Sequence, residues 1–175
     1  MDGILVLTIG HSTRSLEAFI ELLRLNEVTT VVDVRTIPRS RKNPQFNKDT
    51  FPVSLAQANI DYLHVPALGG LRHTRRDSPN TGWENASFRG YADYMQTEEF
   101  EQGLADLVDL AGKSRVVVMC AEALPWRCHR WLIADALVIR GIGVEHIISR
   151  TSRRIHKLTT FAHVTDGRIA YPGRL

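Results

Sequence analysis

Along the chain, short apolar runs alternate with longer stretches in which apolar residues recur at helical spacing. Five short runs read as strands: Ile4–Ile9 (ILVLTI), Thr29–Arg35 (TTVVDVR), Asp61–Val65 (DYLHV), Arg115–Met119 (RVVVM) and Val144–Ser149 (VEHIIS). Several are near-continuous Val, Ile and Leu, the pattern of strands buried on both faces. Between them lie four helical stretches. Ser15–Asn26 sets Leu16, Phe19, Ile20 and Leu23 on one stripe, with Ser12 or Ser15 as its cap. Asp49–Asn59 is shorter and starts near Pro52. Tyr91–Ala111 is long and amphipathic, with a break expected near Thr97 or Gly103. Arg127–Arg140 stops at Gly141, a natural helix end.

Strand and helix in alternation predict a three-layer α/β fold with a mainly parallel sheet of about five strands. We read residues 1–175 as one domain, without repeat or linker. The C-terminal stretch FAHVTDGRIAYPG places Asp166-Gly167 between two short alternating runs. That predicts a β-hairpin appended to the sheet. The longest irregular region is Pro66–Gly90, and a loop of that length is commonly functional or mobile.

Composition narrows the class. The 175 residues are 43% apolar and 23% charged, as in a soluble globular protein. No apolar run approaches the roughly 18 residues needed to span a bilayer, so no membrane partner is expected. The N-terminus MDGILVLTIG reads as a first strand, not a signal peptide, and the expected location is the cytoplasm. Two cysteines are too few for a disulfide scaffold and are expected as thiols. The net charge of +3 is modest, but RTIPRSRK and SRTSRR are local basic clusters. They permit contact with a small anionic ligand, and leave nucleic acid possible, without requiring either. Oligomeric state is open, with Trp83, Phe88 and Tyr91 as candidates for a lid or a dimer contact.

In an open parallel sheet, ligands bind beyond the carboxyl ends of the strands. Four such ends carry polar or glycine-rich segments. After the first strand come Gly10, His11 and Ser12, where His11 suits general acid–base chemistry beside a helix N-terminus. The second delivers Asp33 and Arg35, two apart and therefore on one side, followed by Arg39, Ser40 and Arg41 as a basic rim. Phe46 beyond it is placed to stack on a ring or to pack. The third leads to Gly69-Gly70, which permit close backbone approach. The fourth runs into CAEALPWRCHR, holding Cys120, Glu122, Cys128, His129 and Arg130.

In that last segment Pro125 can open a helix, which would put Cys128, His129 and Arg130 in its first turn. A thiol there, near Arg127 and Arg130, is expected to have a lowered pKa. Glu122 is a candidate acid or base, or a partner for Arg130. A metal held by Cys120, Cys128, His129 and His11 is disfavoured. Cys-x7-Cys-His matches no common zinc spacing, and adjacent residues on a helix do not readily face one ion. No cofactor is expected.

The stretches IGHSTRSLEAFIELL, VVDVRTIPRSRKNPQFN, HVPALGG, FRGYADYM, VVVMCAEALPWRCHR and IAYPG together resemble the domain of unknown function 488 (DUF488) family. The resemblance implies a Rossmann-like α/β domain and no particular reaction. The family's motif positions fall here on His11, Ser12, Asp33, Arg35, Pro38, Arg39, Ser40, Cys120, Glu122, Cys128, His129 and Arg130. A weaker similarity, VVDVR followed by strand–Cys–loop–Arg–helix, is to rhodaneses and cysteine phosphatases. Those place Arg six residues after Cys. Here Trp126 holds that place, Arg127 comes one later, and Pro125 removes a loop amide. The leading expectation is an enzyme or binding protein for a phosphate-bearing anion, with nucleotides and nucleic acid among the candidates, at the carboxyl edge of the sheet. The alternatives are thiol chemistry at Cys120 or Cys128, and a non-catalytic nucleic-acid- or protein-binding module.

Overall fold

The computed structural model describes residues 3–173. Six strands form one sheet: β1 (Leu5–Gly10), β2 (Thr30–Asp33), β3 (Asp61–His64), β4 (Val116–Cys120), β5 (Gly143–Ser149) and β6 (Ser152–Ile155). Their order is β3-β2-β4-β1-β5-β6. The first five run parallel, and β6 returns antiparallel along β5.

Two cores cover the two faces, giving the expected three layers. On one, α1 (Leu16–Leu25) and α2 (Phe51–Gln57) bury Phe19, Leu22, Leu23, Phe51 and Leu55 against Leu7, Ile9, Val31, Val117 and Met119. On the other, α3 (Ala86–Tyr94), α4 (Glu98–Ala111) and α5 (Arg130–Val138) pack on Val6, Val32, Val116 and Val118. Alternate residues of the central strands β1, β2 and β4 thus serve opposite cores, which requires those strands to be largely apolar. Ser15 caps α1 by accepting from the Ala18 amide at 3.1 Å.

The stretch Tyr91–Ala111 breaks at Thr97, one of the two expected places, where the Thr97 side chain caps α4 by accepting from the Phe100 amide at 3.3 Å. The structure departs from the sequence reading in three places. The strand β6 was not expected. Its residues SRRI are exposed along their whole length and carry no apolar pattern, so only backbone pairing with β5 reveals it. The hairpin forms as β7 (His163–Thr165) and β8 (Arg168–Ala170), turning through Asp166 and Gly167 at φ 52° and 74°. It is a separate two-stranded sheet, not an extension of the main one. Finally, α5 begins at Arg130. Pro125–Arg127 form a 3-10 turn, and Cys128 is extended at φ −127°, ψ 149°. Among the described residues, no helix is long and apolar enough to cross a membrane.

Candidate functional site

The strands β1 and β4 lie side by side, yet the helices that follow them, α1 and α5, pack on opposite faces. The loops beyond these strands therefore part, and a crevice opens between them. The two chains leave the sheet still paired. The His11 amide donates to Cys120 O and the Ser12 amide to Ala121 O, both at 2.9 Å. Gly10 makes this approach possible: a Cβ there would stand 1.8 Å from the carbonyl oxygen of Glu122. Ser12 then turns the chain at φ 49°.

A cavity of about 650 Å³ occupies the crevice. His11, Ser12, Arg35, Arg39 and Ser40 border it from the β1 and β2 side. Gly70, from the segment beyond β3, closes another wall, and Cys120, Glu122, Cys128 and His129 form the wall beyond β4. Ten of the positions singled out by sequence thus meet around one space.

Arg35 is the most firmly held of these. Its Nε and Nη2 donate to the two Asp33 carboxylate oxygens at 2.9 and 2.7 Å, and Nη2 also reaches Phe46 O at 2.7 Å. Asp33 is fully buried, and its second oxygen also accepts from the Tyr62 hydroxyl at 2.5 Å. Burial, then the Asp33 bond, push the Tyr62 hydroxyl up. The remaining guanidinium nitrogen, Nη1, lies 3.4 Å from His11 Nε2.

The His11 tautomer follows from its partners. Nδ1 sits 2.8 Å from the Ser12 carbonyl, which only accepts, so Nδ1 carries the proton. Nε2 is left with its lone pair toward Arg35. The ring stacks on Phe46 at a centroid distance of 4.4 Å. Burial lowers the His11 pKa, the Ser12 bond opposes it and the Arg35 charge reinforces it, with the net effect downward. The ring is therefore neutral at pH 7.

His129 is held the same way from the other wall. Its Nε2 donates to Val34 O at 2.9 Å, leaving the Nδ1 lone pair 3.6 Å from Cys128 Sγ. Burial takes its pKa down to about 4. Gly70 lies against this ring, where a Cβ would approach Nδ1 to 3.1 Å.

Four singled-out residues stand away from the cavity. Asp33 is behind Arg35, Gly69 packs on Thr36, and Arg41 is exposed outside the rim. Arg130 is turned inward and is 1% exposed. Its Nη1 donates to Cys120 Sγ at 3.2 Å and to Glu122 O at 3.0 Å, and its Nη2 to Ala123 O at 3.2 Å. It thus meets the backbone of Glu122, not the carboxylate. The Glu122 Oε1 accepts from the Leu124 amide at 3.1 Å instead.

The thiols also differ from expectation. Cys128 lies outside the helix, and although the first amide of α5, on Arg130, donates to its sulfur at 3.5 Å, burial together with its bond to Cys120 raises its pKa well above the ordinary value. Burial of Cys120 opposes ionisation, but the Cys128 bond and the Arg130 charge outweigh it and lower that thiol's pKa. Among the described residues, no group of three or more His, Cys, Asp and Glu side chains is placed to hold a metal ion.

Phe88, Tyr91, Leu71 and Arg127 also border the cavity. The lid or dimer candidates Phe88 and Tyr91 are turned here by their helix α3, which the Asn85 cap starts. Trp83 instead packs among Phe88, Phe161 and Tyr171.

The family model for the domain of unknown function DUF488 matches residues 15–137. The chain belongs to the DUF488 family. The match spans α1 to α5 and so takes in most of the cavity wall, while the His11 and Ser12 corner lies just before it. No curated protein and no solved structure matches the chain.

Proposed function

We propose that this DUF488 chain is an enzyme acting on a small phosphate-bearing molecule in the cavity between β1 and β4. The observation that carries the reading is the pairing of Arg35 Nη1 with the lone pair of His11 Nε2 at 3.4 Å. Asp33 takes up two of the guanidinium nitrogens and fixes the plane. The third nitrogen then offers a preset donor beside a neutral base. Arg39 and Arg127 on the same rim supply further cationic charge. The volume suits a nucleotide-sized ligand, and the aromatic side chains Phe88 and Tyr91 offer faces for an apolar or ring portion.

In this reading an anionic oxygen binds at Arg35 Nη1, with Arg39 closing over it. His11 Nε2 takes a proton from the attacking group, and Nδ1 is steadied by Ser12 O. Titration calorimetry at low salt with inorganic phosphate, nucleoside monophosphates and sugar phosphates tests the binding. We expect at least one probe to bind, and Arg39→Ala to weaken it about tenfold, since the lost contact is charge-assisted. Heat of binding from none of them overturns the reading. Binding without phosphate release or transfer on any bound probe overturns the catalytic half.

A further inference from the structure

The anion reading makes no use of the sulfur atoms, and their arrangement is specific. Cys120 Sγ and Cys128 Sγ lie 2.7 Å apart. A covalent bridge spans about 2.0 Å, so small side-chain rotations would close one. Both residues border the cavity, which gives a small molecule access even though the residues themselves are 2% and 6% exposed.

The two thiols are not equivalent. Arg130 is a buried cation whose guanidinium contacts are two carbonyl oxygens and one sulfur. Among the described residues, no carboxylate forms a salt bridge with it. A buried charge without a counter-charge is costly. The Cys120 thiolate, 3.2 Å from Nη1, is the anion in reach. Cys128 has no guanidinium contact: its sulfur meets the Arg130 amide at 3.5 Å and the His129 Nδ1 lone pair at 3.6 Å, and it remains a thiol.

We propose that Cys120 and Cys128 form a peroxide-reactive dithiol in the cavity wall, with Cys120 as the attacking sulfur and Cys128 as the resolving one. In the first step the Cys120 thiolate attacks one oxygen of hydrogen peroxide. An S–O bond forms, the O–O bond breaks, and hydroxide leaves and is protonated to water. Cys120 becomes a sulfenic acid, oxidised by two electrons, as the peroxide is reduced. In the second step the Cys128 sulfur attacks Cys120 Sγ and gives up its proton. The S–O bond breaks, hydroxide leaves and takes up that proton as water, and the Cys120–Cys128 disulfide remains. Overall, two thiols and one peroxide give one disulfide and two waters. The buried Arg130 charge favours the first step by holding the thiolate, and the adjacent sulfur makes the second faster than overoxidation.

The test uses the full chain and hydrogen peroxide. We expect one equivalent to lower the intact mass by two hydrogens and to block alkylation of both cysteines after denaturation. Dithiothreitol should reverse both changes. The rate should exceed that of a model thiol at pH 7 by about tenfold or more. Cys128→Ser should stop at a sulfenic acid on residue 120 that a dimedone probe traps, and Cys120→Ser should be inert. Wild-type protein that keeps two alkylatable thiols, or links only between molecules, overturns the proposal without any variant. So does a dimedone adduct on Cys128 in place of Cys120. Phosphate binding is measured separately, so failure here leaves the anion reading standing, and the reverse.

Discussion

The guanidinium of Arg35 lies flat against the Asp33 carboxylate through two parallel hydrogen bonds, and both groups are buried, at 6% and 0% exposure. Removing one partner from such a pair strands the other charge. Asp33→Ala is expected to cost about 3–5 kcal/mol in urea denaturation. Asp33→Ala combined with Arg35→Leu should recover part of that loss, because no charge is then left buried. A double variant weaker than the single would show that the pair is not the unit it looks to be.

Gly10 is a second point of no tolerance. A side chain there meets the backbone of Glu122, at 1.8 Å from oxygen and 2.5 Å from carbon, and neither strand end can yield. Gly10→Ala should therefore destabilise by about 3 kcal/mol or more. Gly143→Ala is the control, since its nearest neighbour would be Leu5 Cδ1 at 3.6 Å, an ordinary contact. Equal melting temperatures for the two variants would contradict the close approach of the loops.

Far from the cavity, Asp135 fastens the C-terminal segment. It accepts from His156 Nε2 and the Tyr171 hydroxyl at 2.7 Å each, from Thr159 Oγ1 at 2.6 Å and from the Thr159 amide at 3.1 Å. His156 in turn meets His146, and His146 meets Thr8. Asp135→Ala leaves several buried groups unsatisfied and should cost about 3–5 kcal/mol. Hydrogen exchange should show the loss concentrated at residues 156–171, which these bonds tie to α5. Protection lost evenly over the sheet would argue against a local fastening.

Stability should depend on pH through buried histidines. Burial takes His146 down to about 3 and His129 to about 4, from an ordinary 6.5. Below 6.5 the unfolded chain binds protons that the folded chain refuses, so the contribution is full above 6.5 and is lost as pH falls toward 4. Between pH 6.5 and 5 few carboxylates titrate, and the fall should approach about 1.4 kcal/mol per pH unit for each histidine at the lower end. Unfolding free energies from urea titrations at pH 7, 6 and 5 would measure it, and a flat profile would refute it.

Much of this was legible in the chain itself. Val31-Val32, Val116-Val117-Val118 and Ile4–Ile9 announce strands buried on both sides, because a parallel sheet between two helical layers leaves no solvent face. The spacing of Asp33 and Arg35, two apart, foretells that they share a side, and they pair just where β2 ends. The edge strand β6 was hidden because its stabilisation is backbone pairing, which no side-chain pattern reports.

Sequence by itself determined the layers, the family motifs and the edge of the sheet at which polar residues collect, because periodicity and strand-end chemistry are local properties. Tertiary structure alone decided what each polar residue does there. Arg130 and Arg35 look alike in the sequence. One is drawn inward by the Cys120 sulfur and two loop carbonyls, and the other is pinned by Asp33 with a nitrogen left over for the cavity. The cysteines, eight residues apart in the chain, become a pair only because Cys128 stays extended and α5 starts two residues later. Such choices rest on which partners burial brings within hydrogen-bond distance, and that is set by packing across the whole molecule.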